Sequence, residues 1–232
     1  MTYREIKGNL FNSAAQALAN TVNCVGVMGK GIALEFRRRY PEMFEAYRRD
    51  CEDERLSPGR IYYYPTKGRL ILNITTKRHW RYPSRMEWIE SALGQFVREY
   101  REKDIRSVAF PLLGAESGKL RPQAVRGLMR RYLQPLVDIE IEVYEFDPSA
   151  SDPLFELLTT FASEPDAIER MVASRIRREV AERILSSVQG GRVRSMAALS
   201  DLASERMIDR LYELLRKVGT GSRGGRQLSL FE

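Results

Sequence analysis

"NCVGVMGKGIALEF", residues Asn23 to Phe36, decides how the chain is read. Gly26, Gly29 and Gly31, with the cation Lys30, lie between a strand-like run, ALANTVN (17–23), and a helical pattern interrupted by Pro41. A glycine-rich loop of this kind leaves backbone N–H groups unpaired at the helix N-terminus and lets an anion approach them closely. The stretch matches neither G-x-x-x-x-G-K-[ST] nor G-x-G-x-x-G in the required register. A P-loop nucleotidase and a Rossmann dehydrogenase are therefore not indicated. Taken alone, the loop is either a phosphate cradle or a tight turn.

Outward from it, strands and helices alternate through residue 148. REIK (4–7) and ALANTVN are strand-like; a helix is expected from Gly29 to Arg39, resuming after Pro41 in EMFEAYRRD. RIYYYP and LILNIT form β-rich runs around the turn TKGR (66–69). Ser84 to Glu87 reads as a capping box, opening a helix to about Lys103. SVAFPLL (107–113) is a buried strand, and Pro122 suits the first turn of a helix running to about Tyr132. IEIEVYEF (139–146) alternates apolar and acidic residues and closes the sheet. The pattern predicts an α/β domain, a mixed sheet with helices on both faces.

After DPSASDP (147–153) only helical patterns remain. Ile168, Val172, Ile176, Val180, Ile184 and Val188 recur every four residues and predict one helix with a single apolar stripe, ended by QGGR (189–192). Leu199, Leu202, Leu211, Leu214, Leu215 and Val218 predict two further helical pieces. The expected organisation is an α/β domain over 1–148, a small all-α extension over 149–218 and a flexible tail over 219–232.

The 232 residues suffice for one full core and a smaller appendage. With 43% hydrophobic and 30% charged residues, the composition is that of a globular protein. No apolar run approaches the roughly 20 residues of a membrane span, and MTYREIKGNL lacks the apolar core of a signal peptide. A cytoplasmic protein without membrane partners is expected. Cys24 and Cys51 lack metal-type spacing and are expected to be free thiols. A single histidine, His79, leaves one candidate for Ser-His-Asp chemistry and excludes a histidine-rich metal site. Net charge is +7, and residues 1–148 hold 25 Lys/Arg against 19 Asp/Glu, whereas 149–232 hold 13 against 12. A basic first segment is expected to attract polyanions: nucleic acid or phosphorylated small molecules.

PLLGAESGKLRP (111–122) repeats the strand–glycine loop–helix arrangement with Gly114 and Gly118. Two such units in one sheet bring two anion nests to one edge, which suits a pyrophosphate; the other reading is two unrelated turns. In NITTKRHWRYPSRMEW (73–88), Thr76 ends a strand and Lys77 stands at its mouth. A lysine there is an anchor charge, or a nucleophile if desolvation lowers its pKa. On composition alone Lys77, Arg78 and Arg81 are solvated charge, and His79 is structural or exposed. Trp80 either stacks on a base or packs into a core.

IKGNLF (6–11), ANTVNCVGVMGKGIALEFRRRYPEMFEAY (19–47), PGRIYYYP (58–65), NITTKRHWR (73–81) and FPLLGAESGKL (110–120) together resemble the macrodomain family, the ADP-ribose-binding fold. The resemblance covers nearly all of residues 1–147. NTVNCVGVMGKGIA followed by TKRHW is similar to the branch of terminal ADP-ribose glycohydrolases and DarG-type DNA ADP-ribosyl glycohydrolase antitoxins. It implies an ADP-ribosyl glycohydrolase that removes thymidine-linked ADP-ribose from DNA, with ADP-ribose as ligand or product and no cofactor. An ADP-ribose reader without turnover, or a hydrolase of protein-linked or free ADP-ribose derivatives, remains the alternative.

By that resemblance Gly8, Asn9 and Leu10 line the adenine end, with Asn9 where many macrodomains place an aspartate. Asn23 contacts the distal ribose. Cys24, Val25, Gly26, Val27, Met28, Gly29, Lys30, Gly31, Ile32 and Ala33 wrap the diphosphate and that ribose. Gly114, Ala115, Glu116, Ser117, Gly118, Lys119 and Leu120 close over the diphosphate from the other side. Thr76 borders the substrate, and Lys77 matches the family's catalytic lysine. Members that act on proteins carry an aspartate corresponding to about Gly118, whereas antitoxin-like members lack it; here Glu116 is the only nearby acid and is out of register, which favours DNA.

DarG-type antitoxins bind their toxin through a C-terminal segment. The same is expected of residues 149–218, with a helix-turn-helix-like unit in ALSDLASERMIDRLYELL (198–215) as the rival. QLSLF in the tail (Gln227, Leu228, Leu230, Phe231) resembles the bacterial sliding-clamp-binding motif, a peptide with apolar anchors on a flexible tether. It implies placement at replicating DNA, in an antitoxin or repair role.

Overall fold

The computed structural model describes residues 3–221. The chain divides into two compact units at Glu145/Phe146, just ahead of residue 148. In the first unit the strands are β1 (Tyr3–Gly8), β2 (Ala17–Val22), β3 (Ile61–Pro65), β4 (Leu70–Thr75), β5 (Ser107–Pro111) and β6 (Glu140–Phe146). They form one sheet in the order β1-β6-β5-β2-β4-β3. β2 runs parallel to both β4 and β5, and β5 runs parallel to β6. The β3–β4 hairpin is antiparallel, and its turn is tied by Thr66 N–H to the Arg69 carbonyl at 2.8 Å. β6, the last strand in sequence, lies inside the sheet between β1 and β5 rather than at an edge.

The helices are α1 (Gly31–Arg39), α2 (Pro41–Glu52), α3 (Met86–Glu99) and α4 (Pro122–Leu133). Alternating strand residues divide between two cores, as the two-residue repeat of a pleated strand requires. Ala17, Ala19, Leu72, Ile74, Val108 and Phe110 pack with Ile89, Leu93 and Phe96 of α3 and Val125 and Met129 of α4. Leu18, Ile71 and Ala109 face the other way, onto Phe36 of α1 and Met43 and Tyr47 of α2. The sheet is therefore covered on both faces. Phe36, Phe96 and Phe110 are fully buried, each burial contributing about 1.5–3 kcal/mol.

Ser84 is not a helix cap. α3 begins at Met86 after Arg85, without a side-chain capping bond. Ser84 instead turns inward: its N–H donates to the Gly118 carbonyl at 3.0 Å, and its hydroxyl is buried against the second glycine loop. α1 likewise starts at Gly31 rather than Gly29, because Lys30 keeps an extended backbone (φ −152°, ψ 159°).

The second unit contains α5 (Pro153–Phe161), α6 (Ala167–Ala173), α7 (Arg178–Gln189), a 3-10 turn (Ala197–Asp201) and α8 (Glu205–Gly221). Asp152 caps α5, accepting from the N–H of Leu154 at 2.8 Å. The single helix expected over 168–188 is two. Arg175 adopts φ 63°, its N–H donates to the Val172 carbonyl, and Ile176 N–H reaches back to Met171. That pair of bonds is a Schellman cap, which stops a helix. Val172, the second residue of the expected stripe, is 37% exposed, whereas Ile176, Val180 and Ile184 join one core with Phe161, Met171, Leu211 and Leu215. A four-residue apolar spacing runs across a helix stop as readily as along a helix. The tail residues Gln227, Leu228, Leu230 and Phe231 lie outside the described residues.

Candidate functional site

The C-terminal ends of β5, β2 and β4 lie side by side at the centre of the sheet, the place where open α/β sheets present ligand-binding loops. Three loops leave there: Asn23–Lys30 after β2, Thr76–Arg85 after β4 and Leu112–Arg121 after β5.

The first loop is held from within by Asn23. Its carboxamide oxygen accepts from Val25 N–H at 3.0 Å, its amide donates to the Val27 carbonyl at 2.5 Å, and Tyr47 Oη lies 2.8 Å from its backbone oxygen. Asn23 is 6% exposed, so the side chain shapes the loop. Val25 and Val27 are turned outward and Met28 inward, into the core that also holds Leu10. Asn9 caps the 3-10 turn at Leu10–Asn12, accepting from Phe11 N–H at 3.0 Å. Ile32 and Ala33 pack against the same core.

The middle loop joins the other two. Cys24 N–H donates to the Arg78 carbonyl at 3.2 Å, and its thiol reaches the Lys77 carbonyl at 3.4 Å. Thr76 N–H pairs with the Val22 carbonyl, extending the β2–β4 ladder to the loop mouth. Lys77 Nζ donates to the Ser117 carbonyl, and Ser84 N–H to that of Gly118. The segment 77–84 is thus fastened at its start to the first glycine loop and at both ends to the second.

The second glycine loop is tight. Leu120 N–H returns to the Gly114 carbonyl at 3.1 Å, and Lys119 N–H to that of Glu116. At Gly118 an added Cβ would overlap the Gly114 carbonyl and the Ser84 hydroxyl, so the position admits no side chain. Ala115 begins this turn, donating to the Leu112 carbonyl. The two glycine loops face each other: a Cβ at Gly31 would lie 3.4 Å from Ser117 Oγ and 3.8 Å from Glu116 Oε2. Gly31 itself has φ 57°. The first turns of α1 and α4 hold no acidic residue, and neither N-terminus is closed by a side-chain cap, which leaves both dipole ends electropositive.

Burial lowers the Lys77 pKa below its ordinary value, and the like charge of Lys119 adds to the effect. A lowered pKa raises the fraction of neutral amine, the form that is nucleophilic. Loss of water around the Glu116 carboxyl raises its pKa. Burial, then the neighbouring Cys51, pushes the Cys24 thiol up to about 11, so it stays protonated near neutrality and is a structural group. His79, a turn residue, receives the Arg81 N–H on Nδ1 at 3.2 Å and has no serine–carboxylate partnership among the described residues. Among the described residues no group of three or more His, Cys, Asp or Glu could hold a metal ion, and no helix is long and apolar enough to cross a membrane.

The strand pattern alone does not reveal one polar pair. Asn20 and Asn73 sit opposite each other on β2 and β4, both buried, joined at 2.9 Å. Asn73 also donates to Met43 Sδ at 3.1 Å. The signal was available: two asparagines inside buried strands, where an amide survives only with a partner.

Comparison with known proteins places this geometry. Residues 19–129 match the family model "Macro domain". A DNA ADP-ribosyl glycohydrolase of Thermus aquaticus is 43% identical over 146 residues, covering 61% of this chain and 41% of that protein. The solved macrodomain of Thermus aquaticus DarG superposes with a TM-score of 0.59 at 43% identity, covering 62% of this chain and 97% of that one. Thermosipho africanus DarTG, solved in complex with ADP-ribose, superposes at 0.58 with 33% identity, covering 63% of this chain and 42% of that one. The chain therefore spans about two fifths of the length of the curated relative it matches (41%), and the likeness belongs to the first unit.

Proposed function

The chain belongs to the macrodomain family, and on that premise we propose that its cleft binds ADP-ribose and cleaves it from modified DNA, with Lys77 as the reacting group. The observation that carries the proposal is the placement of the Lys77 amine: partly buried, of lowered pKa, and held on the Ser117 carbonyl between two glycine loops. The diphosphate lies between the Gly26–Gly31 and Gly114–Gly118 loops, against the N-terminus of α1. The distal ribose then reaches Lys77. The neutral amine attacks the anomeric carbon, the nucleobase leaves with the bonding electron pair and takes up the proton that the amine sheds, and the lysyl–ribose adduct opens its sugar ring to a Schiff base. Water hydrolyses that adduct, releasing ADP-ribose and restoring the amine. No cofactor enters these steps.

DNA is favoured over protein carboxylates by Gly118. The position that carries an aspartate in protein-directed members has no room for one here. The similarity to a DNA ADP-ribosyl glycohydrolase supports the same choice. A cognate ADP-ribosylating toxin is proposed as partner of the C-terminal helices, supported by a 33% identical relative in Thermosipho africanus named as a transferase–glycohydrolase fusion. The sliding clamp is proposed as partner of QLSLF, and a clamp pull-down unaffected by deleting residues 227–232 contradicts it. Lys77→Ala is expected to abolish release while leaving ADP-ribose affinity within a few-fold of wild type. Borohydride is expected to trap ADP-ribose on Lys77 during turnover. Full turnover by Lys77→Ala overturns the assignment.

A further inference from the structure

The loop that presents Lys77 continues into a surface that the cleft does not use. Trp80 is 47% exposed and Tyr82 63% exposed, so Trp80 is not a core residue. His79 stacks on Trp80 at 5.4 Å between ring centroids and leans against Tyr82 at 5.6 Å. The Arg81 guanidinium lies 4.8 Å over the Trp80 ring. The turn is fixed by Tyr82 N–H on the His79 carbonyl and by Arg81 N–H on His79 Nδ1. Its ends are fastened to Cys24 and Gly118. It is an aromatic ledge on a pinned loop.

Its charge is one-sided. Between Thr75 and Glu87 the chain has Lys77, Arg78, Arg81 and Arg85 and no acid. Arg78, Arg81 and Arg85 are exposed, and none forms an ion pair among the described residues. Elsewhere in the same unit Arg101, Arg126 and Arg130 are neutralised by Asp138 and Glu5. Partly exposed rings interleaved with cations that form no ion pair match a repeating base and phosphate. A duplex hides its base faces within the stack, so the ledge fits an unpaired strand.

We infer that the His79–Trp80–Arg81–Tyr82 ledge is a single-stranded nucleic-acid platform, on which bases flanking the modified nucleotide stack while Arg78 and Arg81 hold phosphates. The inference rests on the proposed glycohydrolase reading only for the role of Lys77; strand binding itself needs no turnover. The ledge shares its loop with Lys77, which stands three residues before Trp80, and the platform sets specificity for a polymer over a mononucleotide.

The test is fluorescence anisotropy with an unmodified, labelled single-stranded oligonucleotide at low salt, beside calorimetric titration with ADP-ribose. Trp80→Ala and Tyr82→Ala are each expected to weaken oligonucleotide binding about tenfold, with Trp80→Phe restoring most of it, while ADP-ribose affinity stays within twofold. In a Trp88→Phe background, Trp80 becomes the sole tryptophan, and its fluorescence is expected to be quenched by the oligonucleotide. Unchanged oligonucleotide affinity in both alanine variants overturns the platform. So does a loss confined to Arg78→Glu and Arg81→Glu, which leaves charge without stacking, or equal affinity for blunt duplex. An inactive wild type that still shows the Trp80-dependent binding overturns the glycohydrolase reading and leaves the platform standing.

Discussion

Replacing Gly118 with alanine is expected to open the cleft without unfolding the domain. A Cβ there would overlap the Gly114 carbonyl oxygen and the Ser84 hydroxyl, with the Gly114 carbonyl carbon only 2.7 Å away. Backbone and a buried serine cannot yield as the tip of a flexible side chain does, so the loop itself has to move. Two bonds hold it closed at this point, Leu120 N–H to Gly114 at 3.1 Å and Ser84 N–H to Gly118 at 3.0 Å. Each such bond contributes about 0.5–1.5 kcal/mol net, so the rearrangement costs about 1–3 kcal/mol. If the loop opens in the free protein and has to close on the diphosphate, that cost falls on binding, and about 1.4 kcal/mol is a tenfold loss. Gly118→Ala is therefore expected to weaken ADP-ribose binding about 5- to 140-fold by calorimetric titration, with a small fall in melting temperature. Gly127→Ala, on α4 with nothing within 4 Å of its added Cβ, is the control and is expected to leave affinity unchanged while stabilising the helix by about 0.5–1 kcal/mol. Wild-type affinity in Gly118→Ala would refute the claim that this loop is a close-packed wall of the cleft.

Three further outcomes are expected. Because burial and Lys119 lower the Lys77 pKa, kcat/KM should rise with pH through the folded pKa and level off before the ordinary lysine value of 10.5; the folded state disfavours the charged amine, so the same titration gains stability as pH rises, and Lys77→Met should remove both trends. Glu5 is held at a pKa of about 2, chiefly by Arg130 and also by Arg126; its contribution is complete above its ordinary value of 4.5 and is lost as pH falls toward 2, so Glu5→Gln should flatten acid unfolding there by about 1–2 kcal/mol, allowing for the solvent around Arg130. In the helical unit, Arg175→Gly relieves the left-handed conformation of the cap and should stabilise it by about 0.5–1 kcal/mol in urea, whereas destabilisation would contradict the cap assignment.

The sheet and its flanking helices were legible because each strand carries its own alternation and each loop its own glycine or proline. The two glycine loops were legible for the same reason. What joins them was not. Lys77 on Ser117, Ser84 on Gly118 and Cys24 on Arg78 are contacts between residues far apart in sequence, and a capping-box pattern pointed Ser84 at the wrong partner. Asn23 was expected at the ribose, and the bonds by which it shapes its own loop were not legible. The break at Arg175 was hidden because an arginine occupies a position glycine usually marks. Trp80 had two readings in the sequence, and its exposure removes the core one.

The central claim is that this cleft removes ADP-ribose from DNA through Lys77. The direct measurement is release of ADP-ribose from a single-stranded oligonucleotide carrying thymidine-linked ADP-ribose, run beside a glutamate-linked ADP-ribosyl protein, with wild type and Lys77→Ala. Wild type is expected to release ADP-ribose from the oligonucleotide and little from the protein, and Lys77→Ala none from either. No release from the oligonucleotide by wild type, or release that survives Lys77→Ala, would contradict the claim.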